Sequence, residues 1–255
     1  MGSTSKHSAY LVSDLHLCPT RPAIAGLVCD FLARQARQAD ALYILGDLFE
    51  YWAGDDDLDD PFNARICAAL RDCAKDTALY FIAGNRDFLI DAGFARASGA
   101  TLLAEPQLLA IGGTPTLLMH GDTLCSDDVA YQDFRRMVRD PAWRADFLAK
   151  PLAARKAQIE ALRRRSEAEK QVKSAAIMDV NTDTVAATLR AHGYPRLIHG
   201  HTHRQGSHVH HVDGHACERW VLGDWHDSGN YLACDAAGCR FHALALPAQA
   251  VPSAR

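Results

Sequence analysis

The chain has 255 residues, 48% hydrophobic and 23% charged, with a formal net charge of −4. These totals describe a folded globular protein, large enough for one core or a core with an insertion, and exclude disordered and fibrous classes. No run approaches the roughly 18 apolar residues of a membrane span, and the opening MGSTSKHSAYLVSDLHL lacks the basic-then-apolar order of a secretory leader. The cysteines contain no CxxC pair. Cys234 and Cys239 could meet across a hairpin, but free thiols in a reducing cytoplasmic setting are the expectation, and a cysteine metal site is not.

In chain order, the first apolar run is AYLVSDLH (9–16), followed by Ile24, Leu27, Val28, Phe31 and Leu32 at helical spacing. ALYILGD (41–47) is a second run, and Ile66, Ala69, Leu70 and Cys73 form a second helical stripe. ALYFIAGNRD (78–87) and TLLMHGD (116–122) follow. Runs this short and this apolar predict buried strands, and their alternation with helices predicts an α/β layered fold. Residues 127–176 change character: Phe134, Met137, Val138, Trp143, Phe147, Leu148, Ile159 and Leu162 keep helical spacing, and Pro141 and Pro151 divide the segment into about three helices. The expected organisation is therefore a core of 1–126 and 177–255 interrupted by a helical insertion over 127–176. RLIHGHTH (196–203) returns to the strand pattern, and SHVHHVDG, ERWVLGDW, NYLACDAAG and CRFHAL predict antiparallel strands that close the sheet. Charge is uneven: twelve Lys/Arg against five Asp/Glu lie between Arg135 and Lys173, and the rest of the chain carries −11. A basic segment on an acidic body suggests an anionic partner for the segment, against the plainer reading of a solvated helical face.

Each apolar run ends in residues able to bind a metal. Asp14 and His16, Asp47, Asn85, His120, and His201 with His203 supply seven N/O donors from five strand ends. Alone, each has an ordinary explanation: a strand-end Asp is usually a turn or cap residue, and GD and GN are common turns. Their recurrence at the same place relative to five strands, where α/β folds place ligand sites, outweighs that. In extended backbone the alternate spacing of Asp14/His16 and His201/His203 puts each pair on one face. Imidazole, carboxylate and amide donors without thiolate suit Mn²⁺, Fe or Zn²⁺ better than Ca²⁺. Seven donors exceed what one catalytic ion with an open position can use, so two ions sharing a carboxylate are expected. His7, His208, His210, His211 and His215 lack this context and read as surface residues. His199 reads as an orienting residue or strand packing, and Asp122 as a support for His120.

The ordered set DLH, GD, GNRD, HGD and GHTH over residues 14–203 resembles the calcineurin-like metallophosphoesterases. The resemblance implies a four-layer αββα sandwich. It also implies one metal site of Asp14, His16, Asp47 and His203, and another of Asp47, Asn85, His120 and His201. The longer strings GDLFEYWAGDDD, GNRDFL, HGDTLCSDD, IMDVN and IHGHTHR are similar to the UDP-2,3-diacylglucosamine pyrophosphatase family of lipid A biosynthesis. That likeness implies hydrolysis of UDP-2,3-diacylglucosamine at the α-phosphate, with two divalent ions, most simply Mn²⁺, and a helical cap that takes the acyl chains. It also implies a cytoplasmic protein peripheral to the inner membrane, with no nucleic-acid partner. Asn85, Arg86 and His120 are the expected catalytic residues. Substrate contacts are expected from Asn85, Arg86, Asp128, Ser166, Lys173 and His201, and from Lys170, at a position where the family can carry Asn. Arg86 is the first candidate for charge stabilisation, since a guanidinium forks onto phosphate, against a structural ion pair with Asp87. The stretch GDDDLDDP is longer than the usual family form. The competing readings are another binuclear phosphoesterase, such as a nucleotide phosphodiesterase or nuclease, and a non-enzymatic scaffold. The complete donor set argues against the scaffold.

Overall fold

The computed structural model describes residues 8–172, with the backbone alone over 165–172, and residues 179–246. The first sheet has the order β11-β10-β1-β2-β3-β4, built from β1 (Ala9–Val12), β2 (Ala41–Leu45), β3 (Ala78–Ile82), β4 (Thr101–Leu102), β10 (Gly229–Asp235) and β11 (Gly238–Leu244). Its β1 to β4 ladder is parallel, and β10 joins β1 antiparallel. The second sheet has the order β5-β6-β7-β9-β8, from β5 (Gln107–Ile111), β6 (Thr114–Leu118), β7 (Arg196–His199), β8 (Gly206–Val212) and β9 (His215–Val221).

Side-chain alternation along these strands divides the interior into three apolar clusters. On β2, Leu42 and Ile44 face the helices α1 (Pro22–Ala33) and α2 (Pro61–Cys73), while Tyr43 and Leu45 face the second sheet. On β6 and β7, Leu118 and Ile198 meet that inter-sheet cluster, while Leu117 and Leu197 pack with Val185 and Leu189 of α7 (Thr182–Ala191). Three clusters between successive layers make the αββα sandwich. Every assignment follows from the two-residue period, so a one-residue slip of β2 would invert both faces. Local signals start the helices where the chain leaves the sheet. Pro61 opens α2 behind Asp60, whose carboxylate accepts from the Phe62 and Asn63 amides. Short α3 (Ala92–Ser98) ends at Gly99 in the left-handed region.

Between β6 and α7 run α4 (Val129–Arg139), α5 (Pro141–Leu148) and α6 (Leu152–Val172). Asp140 closes α4 and caps α5, accepting from the Ala142 and Trp143 amides. The excess positive charge of this segment turns largely inward, onto the acidic body. Arg135 meets Asp122 at 2.7 Å and Glu105 at 3.1 Å. Lys156 meets Asp57 at 2.6 Å, Arg163 meets Glu50 at 2.6 Å, and Arg155 pairs with Asp56. The acidic stretch GDDDLDDP is thus a receptor for α6, and much of the anionic partner suggested by the charge split is the protein's own core.

Two expectations are corrected. The C-terminal strands do not close one sheet: the β8–β9 hairpin extends the second sheet and the β10–β11 hairpin the first. Cys234 and Cys239 are not free thiols. The hairpin register sets them directly opposite, with Cα atoms 4.2 Å apart, and they form a disulfide.

Candidate metal centre

β1, β2, β3, β6 and β7 end at one edge of the sandwich, and the loops leaving them are bonded to each other. The Asp14 amide donates to Gly46 O at 3.1 Å, the His16 amide to Asp47 O at 2.9 Å, and the Gly200 amide to His120 O at 2.9 Å. Buried Asp87 gathers two loops, its carboxylate accepting from the Leu48 and Gly84 amides at 2.8 Å each. Gly46 makes the close approach possible: at φ +88°, a Cβ there would lie 2.6 Å from both Gly84 Cα and His120 Nδ1.

The strands stop sooner than the alternate spacing implies. Asp14, His16, Asp47, His201 and His203 lie beyond them with φ between 47° and 66°, five of the seven described non-glycine residues with positive φ. Paired donors therefore share a face through left-handed turns rather than extended backbone. Such turns cost on the order of 1–2 kcal/mol each, and their concentration at one edge marks it as the place where the fold spends stability on geometry.

All seven donors predicted from the sequence meet there, in two groups. His16 Nε2 lies 3.4 Å from His203 Nε2 and 3.9 Å from both Asp14 Oδ1 and Asp47 Oδ2, and His203 Nε2 lies 3.2 Å from Asp14 Oδ1. In the other group, Asn85 Oδ1 lies 2.9 Å from both His120 Nε2 and His201 Nδ1, and His120 Nε2 is 3.8 Å from Asp47 Oδ1. Asp47 thus turns one oxygen to each group. His120 Nδ1 faces the Leu45 carbonyl at 2.9 Å, which keeps one proton there and makes Nε2 the nitrogen that would offer a lone pair to a cation once its own proton is lost. Two imidazole nitrogens and two carboxylates converging on one point make a cradle that a cation satisfies better than any protonation pattern, so the donor set fits divalent ions.

Electrostatics say the same. Burial opposes protonation of His120, but Asp47, Asp14, Asp122 and Glu105 outweigh it and push its pKa up to about 9. His203 is likewise carried against burial to about 10 by Asp14 and Asp224. His201, buried beside His120, is pushed down to about 3. Without cations the centre is negative enough to hold protons on two of its imidazoles.

Arg86 donates its amide to Asp47 Oδ1 at 2.8 Å, and its guanidinium lies 3.8 Å from Glu50 rather than pairing with Asp87. Asp128 caps α4, accepting from the Tyr131 amide at 3.2 Å. The side chains of Ser166 and Lys170, and Lys173 altogether, lie outside the described residues. Asp122 accepts hydrogen bonds from the Tyr131 hydroxyl and the Arg135 guanidinium of α4, and acts on His120 by charge. His199 is buried, packed under Gly121, and reaches Arg219 at 3.1 Å; Arg219 in turn donates to His210 at 2.9 Å. His210 is therefore half-buried rather than a surface residue, while His208, His211 and His215 are exposed and His7 lies outside the described residues.

Sequence reasoning missed Glu50, 3.3 Å from His16 Nδ1, and Asp224, 3.5 Å from His203 Nδ1. Asp224 stands in a fourth GD dipeptide, in GDW after an apolar run, which was the available signal; Glu50 sits in FEYW with no signal separating it from a solvated acid. Beside the centre opens a cavity of about 640 Å³, walled by Trp52, Phe88, Phe134, Trp143, Phe147 and Leu162 and floored by Asn85, Arg86 and His201. A smaller cavity of about 250 Å³ lies over the donors themselves, lined by His16, Asp47, Asn85, His201 and His203 with Arg21 and Asp224.

Comparison with known proteins gives this geometry a family. The profile of the calcineurin-like phosphoesterases matches residues 8–205. The chain is 55% identical over 232 residues to the UDP-2,3-diacylglucosamine hydrolase of Aromatoleum aromaticum, covering 91% of this chain and 94% of that one. It is 51% identical over 233 residues to the Chromobacterium violaceum protein of that name, covering 91% and 96%. Against the Xanthomonas campestris pv. campestris protein of that name it is 46% identical over 242 residues, covering 92% and 98%. With a profile spanning both donor groups and relatives matched almost end to end, the chain belongs to the calcineurin-like phosphoesterases, metal-dependent hydrolases, in the branch that contains the UDP-2,3-diacylglucosamine hydrolases.

Proposed function

We propose that the chain hydrolyses UDP-2,3-diacylglucosamine at its α-phosphate, releasing UMP and 2,3-diacylglucosamine 1-phosphate in the lipid A pathway. The observation that carries this reading is the junction of the donor cluster with the aromatic-walled 640 Å³ cavity. A substrate with a phosphoanhydride and two acyl chains needs both features side by side, whereas a nuclease has no use for the second. The names of relatives 46% to 55% identical over nearly the whole chain support the same substrate.

In this reading Asp14, His16, Asp47 and His203 hold one divalent ion, and Asp47, Asn85, His120 and His201 the other, with Mn²⁺ favoured by the mixed donor set. Bound there, two divalent ions would supply a nucleophile at neutral pH and Lewis acidity toward a phosphoryl oxygen. The chain's own residues do the rest. Asn85 and Arg86 face the phosphates, and the Arg86 guanidinium takes up charge that develops on the phosphoryl oxygens. His120, fixed through Nδ1 on Leu45 O, keeps its other nitrogen, Nε2, turned to the centre beside Asn85 and Asp47. Asp128 meets the sugar from the start of α4, and Ser166, Lys170 and Lys173 belong to the cap. Residues 127–176 form that cap on a core of 1–126 and 177–255, and Phe134, Trp143, Phe147 and Leu162 exclude water from the acyl chains.

No helix among the described residues is long and apolar enough to cross a membrane. The acyl chains of the substrate instead bring the protein to the cytoplasmic face of the inner membrane, without nucleic acid as a partner. The test is UMP release from UDP-2,3-diacylglucosamine with added Mn²⁺ and with chelator, for wild type and His201→Ala. Metal-dependent release that the mutant loses is expected. A folded, metal-loaded wild type that releases no UMP would remove the substrate assignment.

A further inference from the structure

One carboxylate at the centre touches a metal donor and two guanidiniums at once. Glu50 lies five residues past β2, with its side chain 17% exposed. Its Oε2 is 3.3 Å from His16 Nδ1, and its Oε1 is 2.6 Å from Arg163 Nη2 and 3.8 Å from Arg86 Nη1. His16 presents Nε2 to Asp14, Asp47 and His203, so its other nitrogen must carry the proton if Nε2 is to serve as a donor. Nδ1 is buried without a hydrogen bond, and Glu50 Oε2, 3.3 Å away, is the carboxylate beside it.

The two guanidiniums come from different elements. Arg86 follows Asn85 in the loop after β3, and Arg163 lies in α6. Both line the 640 Å³ cavity, and Glu50 lines that cavity and the smaller one. The contact to Glu50 Oε1 engages one nitrogen of each five-N–H fork, and so orients both cations at the cavity they line.

We propose that Glu50 is a positioning residue with two tasks. It fixes the tautomer and ring angle of His16, and it holds Arg163 of the cap beside Arg86, so that both guanidiniums face the phosphates of the bound substrate. Arg163 is thereby a second phosphate-facing cation, delivered by α6. The inference rests on the binuclear reading of the centre, but its first readout needs no substrate.

The experiment is a Mn²⁺ titration of the metal-depleted full chain, following free Mn²⁺ by its electron paramagnetic resonance signal, for wild type, Glu50→Gln and Arg163→Ala. Loss of an outer carboxylate from a metal-bound histidine weakens affinity by roughly 10- to 100-fold. Glu50→Gln should show that loss for one of two ions, and Arg163→Ala should bind both as wild type does. In turnover of UDP-2,3-diacylglucosamine, excess Mn²⁺ should restore the kcat of Glu50→Gln, while Arg163→Ala should raise KM at every Mn²⁺ concentration. Wild-type Mn²⁺ affinity in a folded Glu50→Gln, with Glu50→Ala behaving the same, would overturn the His16 assignment. An unchanged KM in Arg163→Ala would overturn the second. A wild type that binds two Mn²⁺ but releases no UMP would count against the substrate alone.

Discussion

Asp47 is the residue on which the centre depends most, because its two oxygens face different donor groups, 3.9 Å from His16 and 3.8 Å from His120. Asp47→Asn keeps the shape and removes the shared charge, and should lower kcat by at least about 10²-fold, with Mn²⁺ stoichiometry falling below two. Gly46→Ala tests the close packing of the loops. Its Cβ would overlap Gly84 and His120 at a φ of +88°, so a loss of more than about 1 kcal/mol in denaturant unfolding is expected, together with weaker Mn²⁺ binding. The histidines make metal binding pH-dependent in a definite direction. Metal-free His120 and His203 titrate at about 9 and about 10, so at pH 7.5 both carry protons that an incoming ion must expel. Apparent Mn²⁺ affinity should rise with pH through the neutral range and level off above those values. The heat of Mn²⁺ binding should depend on the ionisation enthalpy of the buffer; a buffer-independent heat would mean that the imidazoles are already neutral. Each donor was legible in the sequence because it follows an apolar run. Their left-handed backbone was not, since a DxH or HxH string gives no sign that the strand has already ended.

At the scale of elements, the insertion is attached by charge as well as by apolar packing. Arg155 is 1% exposed and donates to Ala53 O, to Lys150 O at 3.0 Å and to Asp56. Arg155→Ala would strip donors from buried carbonyls, and a loss of about 1–3 kcal/mol is expected, with faster proteolysis within α4 to α6. The exposed pairs Arg136–Asp133 and Arg164–Glu160 should contribute far less, on the order of 0.5 kcal/mol or below. Sequence periodicity located β1, β2, β3, β6, β7, α1 and α2, because each is long enough to show its period or apolar enough to require burial. β4 escaped notice with two residues, and α3 with seven. The split of the C-terminal hairpins between two sheets was not legible either, because alternation specifies a face and not the neighbouring strand. Cys234 and Cys239 show the same limit: composition argued for thiols, and only the hairpin register brought them opposite each other.

For the whole molecule, the acidic body and basic insertion form one electrostatic unit, and the centre lies at their junction. Asp122, Glu105, Glu50, Asp56 and Asp57 take the positive charge of the helices, which brings aromatic side chains over the ends of the strands. Under the proposed function, recognition of an apolar tail and chemistry at a phosphoanhydride become neighbouring tasks of one cavity. The most direct test is kcat/KM for UMP release, with Mn²⁺ present, from UDP-2,3-diacylglucosamine and from analogues with shortened acyl chains. Burial stabilises by about 0.8 kcal/mol per methylene, so each methylene removed from the buried part of a chain should lower kcat/KM roughly fourfold, at unchanged Mn²⁺ stoichiometry. Equal kcat/KM across the series, or equal turnover of a simple phosphodiester, would contradict the account and leave a binuclear phosphoesterase whose aromatic cavity serves another ligand.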